Sequence, residues 1–188
     1  MTMSRRFVLL DRDGTINEEA GYVLEPDQLR LIPGAASALR ELREVGLGLI
    51  VVTNQSPVGR GWLTDQRLGE INGRLASMLA EEGAGVDAVY VCPHRPEQGC
   101  DCRKPQPGLA VRAAKEQGFE LAESFVVGDH AADLGMANAV GATAILVRTG
   151  HGDEELANGA GELADHVVAD LREASELIRD IVRSGALR

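Results

Sequence analysis

A chain of 188 residues is long enough for one domain with a substantial hydrophobic core. Hydrophobic residues make up 44% and charged residues 26%, and no apolar run approaches the roughly 20 residues that span a bilayer. The formal net charge of −10 argues against nonspecific nucleic-acid binding, which depends on basic side chains that neutralise phosphates. We therefore expect a single domain, residues 1–188, that binds neither nucleic acid nor a membrane.

Strand-like apolar runs alternate with helical patterns along the chain. Strands are predicted at residues 7–10, 47–52, 86–91, 124–127 and 143–147, with a weak one near 167–168. Helices are predicted at about 34–46, 64–83, 107–117, 134–140 and 170–183. Strands separated by helices imply right-handed crossovers, and therefore an α/β fold with a Rossmann-like parallel sheet flanked by helices. Two segments, 12–33 and 92–106, are predicted to be irregular, and long irregular segments are usually functional.

The expected location and oligomeric state rest on the lack of a signal peptide, a disulfide framework and an apolar stripe in the sequence. Its basic start is followed by an apolar run, Phe7 to Leu10, that is too short for a signal peptide. Its three cysteines are too closely clustered to indicate a disulfide framework. A cytoplasmic protein is expected, and it is expected to be a monomer because no obvious apolar stripe requires a partner.

Two carboxylates, Asp11 and Asp13, directly follow the first strand. Open α/β sheets bind ligands at the carboxyl ends of their strands. A carboxylate beside four aliphatic residues is costly to bury unless it is paired or bound to a cation. Gly14 allows the chain to turn sharply there. Taken alone, however, this pattern is more typical of a strand that runs into an ordinary turn.

Three later segments of the sheet's carboxyl edge carry complementary chemistry: Thr53 with Asn54, Arg103 with Lys104, and Asp129 with Asp133. Several acids with a hydroxyl and a lysine suit Mg²⁺ and a phosphoryl group, because Mg²⁺ prefers one or two carboxylates, water and phosphate oxygens. With the charge neutralised, one carboxylate can attack phosphorus while the other transfers protons. Thr53 and Lys104 have the chemistry to stabilise the equatorial phosphoryl oxygens.

These motifs, in this order over residues 7 to about 148, resemble those of the haloacid dehalogenase superfamily. The resemblance implies that superfamily's fold, and the short segments between the motifs leave room for only a flap, residues 16–32, instead of a large cap domain. It also implies phosphatase chemistry, with Asp11 as nucleophile, Asp13 as acid and base, and Thr53 and Lys104 as catalytic residues. Mg²⁺ would be bound by Asp11, the backbone carbonyl of Asp13 and Asp129, with Asp133 supporting them.

A second cluster, Cys92, His94, Cys100 and Cys102, offers three thiolates and one imidazole. This is the ligand set of a closed structural zinc site. Zn²⁺ in the loop 92–102 would fix the segment that delivers Arg103 and Lys104 to the site. The alternative is three reduced cysteines and a surface histidine, without a metal.

The sequence of this loop resembles the zinc-containing subgroup that includes the heptose bisphosphate phosphatases and the histidinol-phosphate phosphatases. Residues 21–23, 53–56 and 60–61 resemble the heptose enzymes more closely. That resemblance implies substrate contacts from Glu19, Ala20, Gly21, Tyr22, Asn54, Gln55, Ser56, Arg103 and His130.

The function implied is Mg²⁺-dependent removal of the C7 phosphate of the small molecule D-glycero-D-manno-heptose 1,7-bisphosphate, through an aspartyl-phosphate. Histidinol-phosphate phosphatase is the alternative, and a nucleic-acid end phosphatase is disfavoured by the negative charge. An inactive phosphate-binding scaffold is a further alternative, which the intact set of Asp11, Asp13, Lys104 and Asp129 disfavours.

Overall fold

The computed structural model describes residues 5–185, and residues 1–4 and 186–188 lie outside the described part. Within that part the chain forms one six-stranded sheet, in which all neighbouring strands are parallel. The strands are β1 Phe7–Leu10, β2 Gly48–Asn54, β3 Ala88–Cys92, β4 Phe125–Gly128, β5 Thr143–Val147 and β6 His166–Val168. Their order is β3-β2-β1-β4-β5-β6, which confirms the predicted parallel α/β sheet.

Helices connect the strands and cover both faces of the sheet. They are α1 Ala35–Glu44, α2 Ser56–Gly59, α3 Asp65–Glu81, α4 Gly108–Gln117, α5 Ala131–Val140, α6 Gly152–Ala157 and α7 Leu171–Ser184. The five predicted helices are confirmed within a few residues. The sequence did not predict α2 and α6, because segments of four and six residues are too short to display a full apolar period.

The core consists of two apolar layers, one on each face of the sheet. Successive residues of β1 enter different layers: Val8 and Leu10 pack with α1, α3 and α7, whereas Phe7 and Leu9 pack with α4 and α5. All four β1 residues are buried, as expected of a central strand in a parallel sheet. The sheet is therefore a rigid base for the side chains at its edge.

Several predicted boundaries were wrong, and two of the errors concern the carboxyl edge of the sheet. Thr53 and Asn54 were expected just beyond a strand, but they are the last two residues of β2 and pair with Val91 and Cys92 of β3. Polar side chains interrupt an apolar pattern without interrupting backbone pairing, so the strand extends further than the pattern. Likewise α5 begins at Ala131 rather than near 134, because its amino end is capped before the apolar positions begin.

The described residues contain no large cap domain. Between β1 and α1 lie only a short 3-10 turn, Pro26–Gln28, and two isolated bridges in which Asn17 takes part. Between β2 and α3 lies only the four-residue α2. Over the described residues, the carboxyl edge of the sheet is therefore covered only by loops and short helical turns. Among the described residues, no helix combines the length and apolar character needed to cross a bilayer.

Candidate active site

The carboxyl ends of the strands surround a cavity of about 540 Å³. Strand β1 lies between β2 and β4, so the residues that follow it occupy the centre of this edge, where the strand order reverses. The lining residues are Asp11, Asp13, Glu19, Gly21, Tyr22, Val23, Thr53, Asn54, Gln55, Arg103, Lys104, Asp129, His130, Ala132, Asp133 and His151. The predicted catalytic residues are thus brought together in one cavity.

Lys104 is a buried cation that lines the cavity. Its Nζ lies 2.6 Å from Oδ1 of Asp11, 2.6 Å from Oδ1 of Asp133 and 2.8 Å from the carbonyl oxygen of Val52, to which it donates. Burial alone would lower the pKa of Lys104, but the charges of Asp11 and Asp133 outweigh it and raise the pKa above its ordinary value. Lys104 therefore stays charged and is held at a fixed position.

The acids of the site outnumber this lysine. Asp11, Asp129 and Asp133 each place a carboxylate oxygen within 4.8 Å of the others. Burial raises the pKa of Asp11 to about 7, although Lys104 opposes the shift. Burial, followed by the charges of Asp11 and Asp133, raises the pKa of Asp129 to about 8. A divalent cation would relieve this repulsion, and an all-oxygen donor set fits Mg²⁺.

Asp129 is fixed by the loop that follows β5. The backbone N–H of His151 donates to Oδ2 of Asp129 over 2.8 Å. Gly14 and Gly150 approach the same oxygen so closely that a Cβ added to either would overlap it. Gly14 also has a φ of 77°, which L side chains rarely adopt. Glycine is therefore required on both sides of this carboxylate.

Asp13 receives hydrogen bonds from three side chains. Arg12 donates through Nε and Nη2, with 2.8 Å from Nη2 to Oδ2. Nδ2 of Asn17 lies 2.9 Å from Oδ1, and Nε2 of Gln55 lies 2.8 Å from Oδ2. Nε2 of Gln55 also lies 2.9 Å from Oγ1 of Thr53. Gln55, predicted as a substrate contact, thus connects the carboxylate of Asp13 to the hydroxyl of Thr53.

Asn54, another predicted substrate contact, holds the backbone of Lys104. Its Oδ1 accepts from the N–H of Lys104 over 3.1 Å, and its Nδ2 donates to the carbonyl of Lys104 over 3.2 Å. This reciprocal pair uses both ends of one amide, so it fixes the orientation of the peptide. Asn54 therefore places the lysine as well as lining the cavity.

Not every predicted substrate contact reaches the cavity wall. Ala20 is exposed on the flap, while its neighbours Glu19 and Gly21 line the cavity. Ser56 is buried at the first position of α2, where its carbonyl accepts from the N–H of Arg60. The sequence could not distinguish these positions, because local turns decide which side chains in a loop face inwards.

His151 is a lining residue that the sequence analysis missed. It lies in the loop after β5, 6.2 Å from the ring of His130 between ring centres. Nε2 of His130 lies 3.0 Å from Oε1 of Glu155. The sequence does contain a signal for His151: the residue follows the predicted strand 143–147, and all parallel strands end at the same edge of a sheet.

The four predicted zinc ligands also meet. The Sγ atoms of Cys92, Cys100 and Cys102 lie 3.3 to 3.6 Å apart, and Nδ1 of His94 lies 3.2 Å from Sγ of Cys102 and 3.6 Å from Sγ of Cys92. A tetrahedron with metal–sulfur bonds of about 2.3 Å has sulfur–sulfur edges of about 3.8 Å. The geometry and the donor set therefore fit Zn²⁺.

This cysteine–histidine cluster contacts both loops that carry predicted site residues. The carbonyl of Cys92 accepts from the N–H of Gln55 over 2.7 Å, and the carbonyl of Pro93 accepts from the N–H of Gly59 over 2.9 Å. Nη1 of Arg103 donates to the carbonyl of His94 over 3.1 Å. A metal that orders the cluster would therefore order Gln55 and Arg103 as well.

Comparisons with known proteins agree with this site. Residues 101–174 match the family model described as HAD-hydrolase-like. The chain is 38% identical over 182 residues to a D-glycero-beta-D-manno-heptose-1,7-bisphosphate 7-phosphatase of Yersinia pestis, an alignment that covers 93% of this chain and 97% of the relative. Identity to the Escherichia coli K12 enzyme of the same name is also 38%, over 93% of this chain and 95% of that enzyme.

Solved structures lead to the same family. A D,D-heptose 1,7-bisphosphate phosphatase from B. bronchiseptica, complexed with magnesium and phosphate, superposes with a TM-score of 0.88 at 35% identity. That match covers 93% of this chain and 98% of the other. The corresponding enzyme of Burkholderia thailandensis has a TM-score of 0.73 at 30% identity, over 93% and 99% of the two chains. The chain therefore belongs to the haloacid dehalogenase-like hydrolases, in the family of the D-glycero-beta-D-manno-heptose-1,7-bisphosphate 7-phosphatases.

Proposed function

We propose that this protein is a Mg²⁺-dependent phosphatase that removes the C7 phosphate of D-glycero-β-D-manno-heptose 1,7-bisphosphate. The observation that carries the proposal is the cluster at the end of β1, in which Lys104 contacts Asp11 and Asp133 beside Asp129. A nucleophile, a fixed cation and an excess of carboxylates suit transfer of a phosphoryl group to Asp11. The substrate is proposed from the names of the relatives, which also specify the β anomer.

In the first half of the reaction, a carboxylate oxygen of Asp11 attacks phosphorus. The bond between phosphorus and the C7 oxygen breaks, and Asp13 gives its proton to the leaving alkoxide. Lys104 and the hydroxyl of Thr53 stabilise the negative charge on the equatorial oxygens. Mg²⁺, held by Asp11, Asp129 and the backbone carbonyl of Asp13, would supply further charge neutralisation.

In the second half, the aspartyl-phosphate is hydrolysed. Asp13, now a carboxylate, takes a proton from water, and the resulting hydroxide attacks phosphorus. The bond between phosphorus and the Asp11 oxygen breaks, which releases inorganic phosphate and restores the Asp11 carboxylate. Asp13 ends the cycle protonated, ready to act again as an acid.

We expect the heptose 1,7-bisphosphate to exceed histidinol phosphate by at least about 100-fold in kcat/KM, since a site built to bind polar groups discriminates against ligands that lack them. Arg103 lines the cavity and offers a guanidinium to the second phosphate. Histidinol phosphate presents an amine instead, which a guanidinium repels. The measurement is phosphate release from both compounds at matched Mg²⁺, with the heptose 1-phosphate product identified by NMR.

A matched test replaces Arg103 by Lys, which keeps the charge but loses the planar fork. This variant should lose more activity on the bisphosphate than on a simple alkyl monophosphate. Equal kcat/KM values for the bisphosphate and histidinol phosphate in the unmodified protein would overturn the substrate assignment. Such a result would leave the phosphatase chemistry of Asp11 in place.

We also propose that Cys92, His94, Cys100 and Cys102 bind one structural Zn²⁺. Cys100→Ser should remove the metal, lower the melting temperature and reduce activity, because Gln55 and Arg103 contact the cluster through its backbone. Asp101→Asn is the matched control, since it lies in the same loop and offers none of the four ligands. Elemental analysis should find about one zinc per chain. Protein prepared without chelators that contains no zinc would rule the site out.

The sequence-based expectations of a cytoplasmic monomer in a single domain remain predictions.

A further inference from the structure

Arg12 has no role in the reaction as proposed, although it lies between the nucleophile Asp11 and the acid Asp13. It is 0% exposed and is the largest fully buried side chain among the described residues. An isolated buried charge is strongly unfavourable, so a buried guanidinium has to be paired. The contacts of Arg12 therefore indicate what it does.

Those contacts form a rigid connection between α3 and the carboxylate of Asp13. Nε of Arg12 lies 3.1 Å from Oδ1 of Asp13, and Nη2 lies 2.8 Å from Oδ2. Nη1 lies 3.0 Å from Oδ1 of Asn72, in α3. A two-point contact from a planar guanidinium fixes the plane of a carboxylate, which a single ammonium contact does not. The anchor at Asn72 in turn fixes the guanidinium.

The same contacts leave one side of Asp13 available to substrate. Asp13 lines the cavity and its side chain is 21% exposed, whereas the Arg12 side chain is 0% exposed. Arg12 therefore holds the carboxylate from its buried side. Asn17 and Gln55 hold its two oxygens as well, but each contributes one amide nitrogen. Arg12 is thus the neighbour that contacts both oxygens.

We propose that Arg12 is a positioning residue that aims Asp13 at the leaving oxygen. This inference rests on the acid role of Asp13 in the proposed function. During transfer to Asp11, the phosphorus–oxygen bond to the alcohol breaks while the Asp13 proton moves to that oxygen. A proton donor displaced by about 1 Å can cost about 100-fold in rate. Removing the fork should therefore slow this step without removing the nucleophile.

The test varies how strongly the leaving group needs a proton. In Arg12→Gln, we expect kcat/KM for glycerol 3-phosphate, an alkyl monophosphate, to fall about 100-fold, the size of a typical acid contribution. For 4-nitrophenyl phosphate the fall should be less than about threefold, because nitrophenolate leaves without protonation. Arg12→Lys keeps the charge and should restore part of the activity towards glycerol 3-phosphate. The Mg²⁺ concentration that gives half-maximal activity should not change.

Two further variants keep the outcome clear. Arg112→Gln makes the same substitution at a side chain of α4 that is 63% exposed, and both activities should stay unchanged. Asn72→Ala removes only the outer anchor, so it should give a smaller loss with the same dependence on the leaving group. If Arg12→Gln does not fold, Asn72→Ala decides the question.

Equal losses for the two substrates, in a variant that melts like the parent protein, would overturn the role of Arg12. Failure of the heptose substrate is a separate outcome. If the unmodified protein hydrolyses glycerol 3-phosphate and 4-nitrophenyl phosphate but not the heptose bisphosphate, the proposed substrate fails. The leaving-group comparison still tests Arg12 in that case.

Discussion

Replacing Asp11 by Asn should lower phosphate release by at least about 10⁴-fold, the order of loss seen when a covalent nucleophile is removed. An amide is not a competent nucleophile towards phosphorus, and Lys104 loses the carboxylate that lies 2.6 Å from its Nζ. Rapid acid quench with ³²P-labelled substrate should label the unmodified protein and leave the variant unlabelled.

The fold should survive this substitution. The pKa of Asp11 is raised in the folded protein, to about 7, so in the unfolded chain the group loses its proton more readily. Between the ordinary aspartate pKa of 3.8 and about 7, the folded state keeps a proton that the unfolded chain has lost, so the metal-free folded state loses stability as the pH rises through this range. Asn cannot ionise, and Lys104 keeps Asp133 as a partner. At pH 8 without Mg²⁺, the melting temperature of the variant should be no lower than that of the parent.

Asp180→Asn is the matched control, because it makes the same change at an exposed position of α7. It should leave both activity and labelling unchanged. Labelling of Asp11→Asn above the level of contaminating parent protein would exclude Asp11 as the nucleophile, whatever its effect on turnover.

Much of the fold was predictable, because its main signals are local. Each strand of the central sheet is a short apolar run, and each long helix has an apolar period of its own. Asp11 and Asp129, which directly follow β1 and β4, could be assigned to one site because parallel strands end at one edge. The cysteine–histidine cluster was predictable for a similar reason, since its four residues lie within 92–102 and match a known set of zinc ligands.

The interactions that the sequence did not predict are between distant segments or between adjacent side chains. Arg12 contacts Asp13, its neighbour, and it also reaches Asn72 across 60 positions of sequence. His151 acts on Asp129 through a backbone N–H, which has no signature in a sequence of side chains. Such contacts depend on how elements pack, and periodicity contains no information about that.

Mg²⁺ binding should distinguish the roles of Asp13 and Asp129. Loss of a residue that hydrogen-bonds to a metal ligand typically weakens metal binding by about 10- to 100-fold. Asp129→Asn should weaken Mg²⁺ binding by more than this, because it removes a proposed direct ligand. Asp13→Asn should weaken it less, since the proposed ligand is the backbone carbonyl, which the substitution keeps. Both variants should be nearly inactive, so the metal itself has to be measured, by isothermal titration in the absence of substrate.

The pH of the titration matters. Burial raises the pKa of Asp11 to about 7 and that of Asp129 to about 8, so in the metal-free protein below these values the metal must displace protons. Mg²⁺ affinity of the parent should therefore increase from pH 6 to pH 8.5. In Asp129→Asn that increase should be smaller, because one of the two displaced protons no longer exists.

The melting temperature gives an independent check of the contact that Asp13 makes with Arg12. Its carboxylate is the partner of Arg12, which is 0% exposed, so Asp13→Asn leaves a buried guanidinium without its counter-charge. Breaking such a pair typically costs about 3–5 kcal/mol when both partners are buried, and less here because Asp13 is 21% exposed. Asp13→Asn should therefore lower the melting temperature in the absence of Mg²⁺, whereas Asp129→Asn should not, because it removes a carboxylate whose charge is unfavourable there. If Asp13→Asn binds Mg²⁺ more weakly than Asp129→Asn at pH 8.5, the assignment of the metal ligands is reversed and Asp13 binds through its side chain.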